Sequence, residues 1–220
     1  MKEGEDVFFA PDYNIKKMYE EVLFNPEELI NAFNKRVFSY YIDPARKLPA
    51  FAQGILCCSL IDFLAKLRIT DLEQVNDYRE FYNNNFKVNP FRKPAKIYMG
   101  ERIVSFLVYD LKIFSLEEAY WFCEYVRNGL IHEGRVKCGC YLDTCIESPI
   151  EEENGALLFN PNLILKELES WFKVYINTLK KEDTYEKFFE YIKKIIDEDL
   201  SAINIRSQGN KFPCRNIRGK

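Results

Sequence analysis

Histidine is almost missing from this chain of 220 residues: His132 is the only one. With no serine placed beside it, the sequence offers no Ser-His-Asp arrangement. Glycine and proline are scarce, nine of each, which excludes collagen-like and low-complexity chains. No glycine-rich loop is present that could cradle a phosphate. Net charge is only −3 and the pI about 5.5, so the global basic signature of nucleic-acid binders is absent and any polyanion site must be local. The N-terminal stretch MKEGEDVFFAPDY lacks an apolar h-region, so no secretory signal is expected. The most apolar run, Ala50 to Leu67, contains Gln53, Asp62 and Lys66 and is expected to be too short and too polar to span a bilayer. The cysteine count is seven, an odd number, which fits reduced thiols rather than a disulfide framework. These absences predict a cytoplasmic protein with no membrane contact.

What is present is core material. Hydrophobic residues make up 47% of the chain and aromatics 15%, enough for a sizeable interior. Helix signals dominate. Asn25-Pro26 places a cap before a first-position proline, with Glu27 and Glu28 in the first turn, for a helix to about Tyr41. The next helix, from about Ala50, is apolar almost all round and so central, with Gly54, Cys57, Cys58 and Ser59 letting neighbours approach. Asp62 and Lys66 form an i,i+4 pair near its end. Thr70 to Glu73 reads as a capping box for a helix reaching about Phe86, and Ser115 to Glu118 as a second. Between them lie an exposed loop, Lys87 to Tyr98, and a helix from about Glu101 to Ile113. Val136 to Leu158 is the least helical stretch and has short apolar ends suited to a small β-hairpin. Asn160-Pro161 opens another helix, and the last begins near Thr184. The expected architecture is all-α: a bundle of up-and-down helices over residues 1–200, followed by a flexible tail, 201–220. That tail carries Arg206, Lys211, Arg215, Arg218 and Lys220 and no acid.

The run EYVRNGLIHEGRVK, Glu124 to Lys137, holds the one histidine. Advancing roughly 100° per residue puts Ala119, Phe122, Cys123, Val126 and Leu130 on one stripe, the core face. Trp121, Tyr125, Asn128 and His132 fall on the far side. Aromatic and amide groups there, instead of Lys and Glu, mark a second contact surface. A twofold partner presenting the same helix is the simplest cover, with Trp121 and Tyr125 as dimer-interface residues. On an ideal helix Arg127 lies about 140° from His132, so convergence needs a relaxed turn at Gly129 or a second copy.

Arginine offers a planar fork matched to phosphate oxygens. An imidazole serves as base or acid near neutral pH. Asn128 can orient a nucleophile or the ring. Together these are parts for cutting RNA without a metal: a base on the ribose 2′-hydroxyl, an arginine at the phosphoryl oxygens, and an acid on the leaving 5′-oxygen. One histidine per chain supplies both base and acid only if two chains meet. The bland alternative is an interface histidine bonded to a carbonyl, with Arg127 in a surface ion pair.

Arg127-Asn128-x-x-x-His132, late in an all-α chain after a glycine- and cysteine-studded apolar helix, resembles the HEPN domain (higher eukaryotes and prokaryotes nucleotide-binding). The resemblance implies a HEPN-like helical bundle and a homodimer with the motif at its interface. It also implies metal-independent endoribonuclease activity, in a defence or toxin–antitoxin setting with an antitoxin or other regulatory protein as partner. It carries over to Arg127, Asn128 and His132 as catalytic residues. Some members carry a tyrosine two residues after the histidine that a partner enzyme modifies. Gly134 stands there, so that control is not expected. Other members only bind nucleotides or scaffold a complex, which leaves a non-catalytic nucleotide- or protein-binding dimerisation module as the alternative.

Arg92, Lys93, Lys96 and Arg135 are the expected contacts to the RNA backbone. No cofactor or metal is required. His132, Cys138, Cys140 and Cys145 have the chemistry of a zinc set, but their spacing matches no usual knuckle, and free thiols near a hairpin are the simpler reading.

Overall fold

The computed structural model describes residues 7–86, 93–137 and 139–207, without the side chains of 182, 183 and 204–207. In chain order, a short hairpin of β1 (Phe8–Ala10) and β2 (Tyr13–Asn14) leads into α1 (Ile15–Lys17), which continues as π-helix over Met18–Val22. Then come α2 (Pro26–Val37) with a π-helical extension Phe38–Ile42, α3 (Asp43–Ala45), α4 (Ala50–Arg68), and a 3-10 turn Leu72–Val75 running into α5 (Asn76–Asn85). They are followed by α6 (Met99–Ser105) with π-helix Phe106–Leu111, and α7 (Leu116–Trp121) with π-helical stretches Phe122–Arg127 and Gly129–Glu133. Strands β3 (Cys140–Leu142), β4 (Ile150–Glu153) and β5 (Ala156–Phe159) precede α8 (Pro161–Thr178) and α9 (Glu182–Ser207). The fold is mainly helical, as expected, with small sheets.

Several starts follow the caps read from the sequence. The side chain of Asn25 accepts from Glu28 N at 3.2 Å. Ser115 Oγ accepts from Glu118 N at 3.2 Å while Glu118 Oε2 accepts from Ser115 N at 2.7 Å, a reciprocal box. The box expected at Thr70 is shifted by one. Asp71 is the cap, and Gln74 Oε1 accepts from both Thr70 N and Asp71 N at 2.9 Å. Asn160 caps α8, accepting from Asn162 N at 3.0 Å. Helix α9 runs through Ser207, so the first residues of the expected tail are helical; 208–220, with Lys211, Arg215, Arg218 and Lys220, lie outside the described residues.

A hairpin does follow the motif helix, in a three-stranded sheet of order β3-β5-β4, but it is not made by the two apolar ends of 136–158: those ends, β3 and β5, pair in parallel because a third strand, β4, lies between them in the chain. Strands β4 and β5 pair antiparallel around Asn154-Gly155, whose φ angles of 53° and 76° make the mirror-image turn that suits a right-twisted ribbon. Strand β3 adds in parallel to β5, with Cys140 opposite Leu157. That parallel pairing was not legible, because it joins segments without a local turn.

The chain divides into two compact units. The first combines the described parts of 1–39 and 176–220. Its interior holds Phe9, Met18, Leu29 and Phe33 with Phe188, Ile192 and Ile196, and the Phe33 and Phe188 rings meet edge-on at 5.0 Å.

The second unit, 40–175, is built around α4, which packs against α6 and the π-helical end of α7. Cys57, Cys58, Leu60, Ile61, Leu64 and Ala65 are all buried. By length and composition alone α4 could cross a membrane, contrary to the sequence expectation. Yet 56% of its most apolar window is buried inside the fold, as befits a core helix. A Cβ on Gly54 would sit 3.2 Å from Leu142 and 3.3 Å from Leu130, so the missing side chain is what admits the motif helix and β3.

One carboxylate of this unit is fully buried. Glu101 has no exposed surface and is held by Arg79, Nε to Oε1 at 2.9 Å and Nη2 to Oε2 at 3.1 Å. The same guanidinium donates to the carbonyls of Pro94 and Lys96, and Glu101 also accepts from Tyr98 N at 2.6 Å. A buried carboxylate is tolerable only with its lone pairs filled in this way. Glu101→Ala, which strands Arg79, is expected to cost about 3 kcal/mol of unfolding free energy and to loosen the 93–98 loop. Urea denaturation and protease sensitivity at that loop measure both.

Candidate functional site

The core stripe read by angle is correct: Ala119, Phe122, Cys123, Val126 and Leu130 are buried. Arg127, Asn128, Trp121 and Tyr125 are half-buried and His132 is exposed. The helix after Trp121 is not α-helical but π-helical. Hydrogen bonds that span i to i+5 turn each residue through less than the α-helical step, so residue i+5 comes back to the same side of the helix as residue i. The wide angle expected between Arg127 and His132 therefore closes. Arg127 Nη1 reaches His132 Nε2 at 3.2 Å within one chain, and Asn128 Oδ1 at 2.8 Å.

Gly129 makes this register fit. After the αL cap at Gly134 (φ 64°), the chain folds back so that Arg135 N donates to Gly129 O at 3.2 Å and Lys137 N to Tyr125 O at 3.1 Å. A Cβ at Gly129 would lie 2.2 Å from the Arg135 carbonyl oxygen, well inside contact distance. Only glycine admits the returning backbone.

The residue that the sequence reading missed is Asp62. Instead of closing on Lys66, its carboxylate faces Arg127, taking Nε at 3.0 Å on one oxygen and Nη2 on the other. Both side chains are largely enclosed, with 13% and 18% of their surface exposed. Burial works against the Arg127 charge, but the hydrogen bonds and charge of Asp62 outweigh it and raise the pKa. The fork is thus permanently cationic and locked in plane. The sequence signal was the one carboxylate on the central helix, in the middle of its apolar run. Glu124, four residues before Asn128, completes the set by accepting from Asn128 Nδ2 at 3.4 Å.

A guanidinium has no acceptor, so His132 Nε2 must be the acceptor of the Arg127 contact. The neutral ring then carries its proton on Nδ1. One arginine in this way holds Asp62, the Asn128 oxygen and the tautomer of His132.

The remaining predicted residues lie elsewhere. Arg135 is exposed and paired with Glu133 at 3.1 Å, a carboxylate that Lys137 also contacts. Lys93 and Lys96 are exposed, and Lys96 lies 5.1 Å over the Tyr98 ring. Arg92 lies outside the described residues. Trp121 and Tyr125 stack on each other at 4.8 Å, and Trp121 Nε1 donates to Glu117 at 3.4 Å. Cys140 is buried and Cys145 exposed, while Cys138 lies outside the described residues. Burial pushes the thiols of Cys57 and Cys123 up to about 12, so both stay protonated and inert at neutral pH.

Gly129→Ala is expected to lose about 2 kcal/mol by overpacking, against about 1 kcal/mol for Gly134→Ala, where only the αL backbone objects. Chemical denaturation separates the two. A double-mutant cycle on Asp62 and Arg127 should give a coupling of about 2–3 kcal/mol, and one on Asp62 and Lys66 a value near zero. Comparable couplings would refute the assignment of Asp62 to Arg127. No family model, curated protein or solved structure matches the chain.

Proposed function

We propose that the protein is a metal-independent endoribonuclease with a HEPN-like bundle, acting as a homodimer across the helix face that bears Trp121, Tyr125, Asn128 and His132. The observation that carries the reading is the meeting of Arg127, Asn128 and His132 at the exposed end of one helix, within 2.8–3.2 Å of the Arg127 Nη1 atom. This is the cluster that the motif resemblance singles out, and it agrees with the need for a cation beside a titratable base.

In the proposed reaction, the exposed imidazole of His132 swings away from Arg127 Nη1, and a phosphoryl oxygen takes its place on the fixed guanidinium. That frees Nε2 to accept the 2′-hydroxyl proton. The 2′-oxygen bonds to phosphorus, the bond from phosphorus to the 5′-oxygen breaks, and His132 of the partner subunit delivers a proton to the leaving oxygen. The products are a 2′,3′-cyclic phosphate and a 5′-hydroxyl. Asp62 holds the guanidinium through the charge change at no reorganisation cost, and Asn128 keeps it level.

A non-catalytic dimerisation module is the second reading, favoured by the occupation of two sides of the Arg127 fork by Asp62. RNA incubated with protein in EDTA decides between them. Cleavage that yields cyclic phosphate ends, and that falls by about 10²–10⁴-fold in His132→Ala, is expected of the enzyme. Equal survival of RNA with wild type and His132→Ala would sink it.

A further inference from the structure

The end of α5 and the loop after it form, with the C-terminal tail, one of two basic stretches in this acidic chain. From Phe81 to Gly100 the sequence contains Lys87, Arg92, Lys93 and Lys96 and no acid, interleaved with aromatic residues and with Asn83, Asn84 and Asn85. Lys87 and Arg92 lie outside the described residues. The described part shows how the rest is arrayed. Tyr82 and Phe86 pack at 5.2 Å and are half-exposed, and Phe86 stacks on Tyr120 at 4.6 Å. Tyr120 meets Trp121 at 5.6 Å, and Trp121 stacks on Tyr125, one turn before Asn128. The ring contacts therefore run from α5 to the edge of the candidate site, with half-exposed Tyr82 and Phe86 at one end, half-exposed Trp121 and Tyr125 at the other, and buried Tyr120 joining them underneath.

Arg79 ties the basic loop to α5 through its bonds to the Pro94 and Lys96 carbonyls, at 2.7 and 2.8 Å. Lys93 and Lys96 are thereby carried on a loop tied to the helix that bears Tyr82; both are exposed, and Lys96 lies 5.1 Å over the Tyr98 ring. Nearer the motif, Glu117 accepts from Trp121 and Glu124 from Asn128, each at 3.4 Å from a neutral donor that leaves the carboxylate charge in place.

Half-exposed rings in series stack on unpaired bases, lysines alongside take the phosphates, and side-chain amides reach base edges. We infer that Tyr82 and Phe86, with Lys93 and Lys96, form a stacking track for single-stranded RNA that leads toward His132. The inference rests on the ribonuclease reading for its substrate and adds the form of that substrate. The RNA is unpaired and held by its bases, because a duplex hides the faces that these rings need.

The test uses full-length His132→Ala protein in EDTA, which separates binding from cutting, and a labelled oligouridine of about a dozen nucleotides. Fluorescence anisotropy should show binding at least about tenfold tighter than to an abasic ribose-phosphate strand of equal length. Tyr82→Ala should weaken oligouridine binding about tenfold while Tyr82→Phe, which keeps the ring, does not. The surface pair Lys93→Gln and Lys96→Gln, which threatens no core, should flatten the slope of log affinity against log salt by about 1.4. Equal affinity for the abasic strand, no binding at all, or an unchanged salt slope overturns the proposal. So does a Tyr82→Ala effect confined to self-association in sedimentation, which would assign the surface to a second copy. Cleavage by the wild-type protein is scored separately. Base-dependent binding without cleavage keeps the track and removes the nuclease, whereas cleavage with binding indifferent to these variants does the reverse.

Discussion

The pairing of Asp62 with Arg127 is the constraint on which the candidate site depends. It joins the central helix of the second unit to the helix that carries the motif, and it does so where both groups are mostly out of water. Such a pair adds little net stability over an apolar contact, but losing either member leaves an uncompensated charge in the interior. Its value is therefore geometric. With two of its nitrogens fixed on Asp62, the guanidinium has one remaining nitrogen to present, and that nitrogen meets both Asn128 and His132.

The helical register serves the same end. An α-helix would send Arg127 and His132 to different sides. The π-helical stretches Phe122–Arg127 and Gly129–Glu133 bring them to one side, and they exist because the chain can fold back across Gly129. Widened turns of this kind are weaker in isolation and persist where packing compensates. Here the compensation comes from the buried stripe Phe122, Val126 and Leu130, with Leu130 seated against Gly54 of α4. Small residues at two points, one on each helix, thus set the position of a charged cluster between them.

The second unit handles charge in the same way twice. A buried Glu101 and a partly exposed Arg79 form a pair that holds a loop, and Asp62 and Arg127 form a largely enclosed pair that holds a motif. In both the carboxylate comes from a helix and the arginine has donors left over for other groups. The first spends them on the carbonyls of the basic loop, the second on the side chains of Asn128 and His132. A rigid fork with five donors is suited to this, and a lysine is not.

Local chemistry was legible in the sequence wherever it acts over a few residues. The caps at Asn25, Ser115 and Asn160 and the buried stripe of the motif helix depend on neighbours within one or two turns. The apolar character of α4 announced a central helix, and the run from Arg127 to His132 announced a cluster. Tertiary structure alone decided what joins elements far apart in the chain: the partner of Asp62, the parallel addition of β3 to β5, and the division into two units. It also decided the π register, because that depends on a backbone returning from Arg135 to cover Gly129. A helical-wheel reading assumes a fixed step per residue, whereas the step here is set by what packs against the helix.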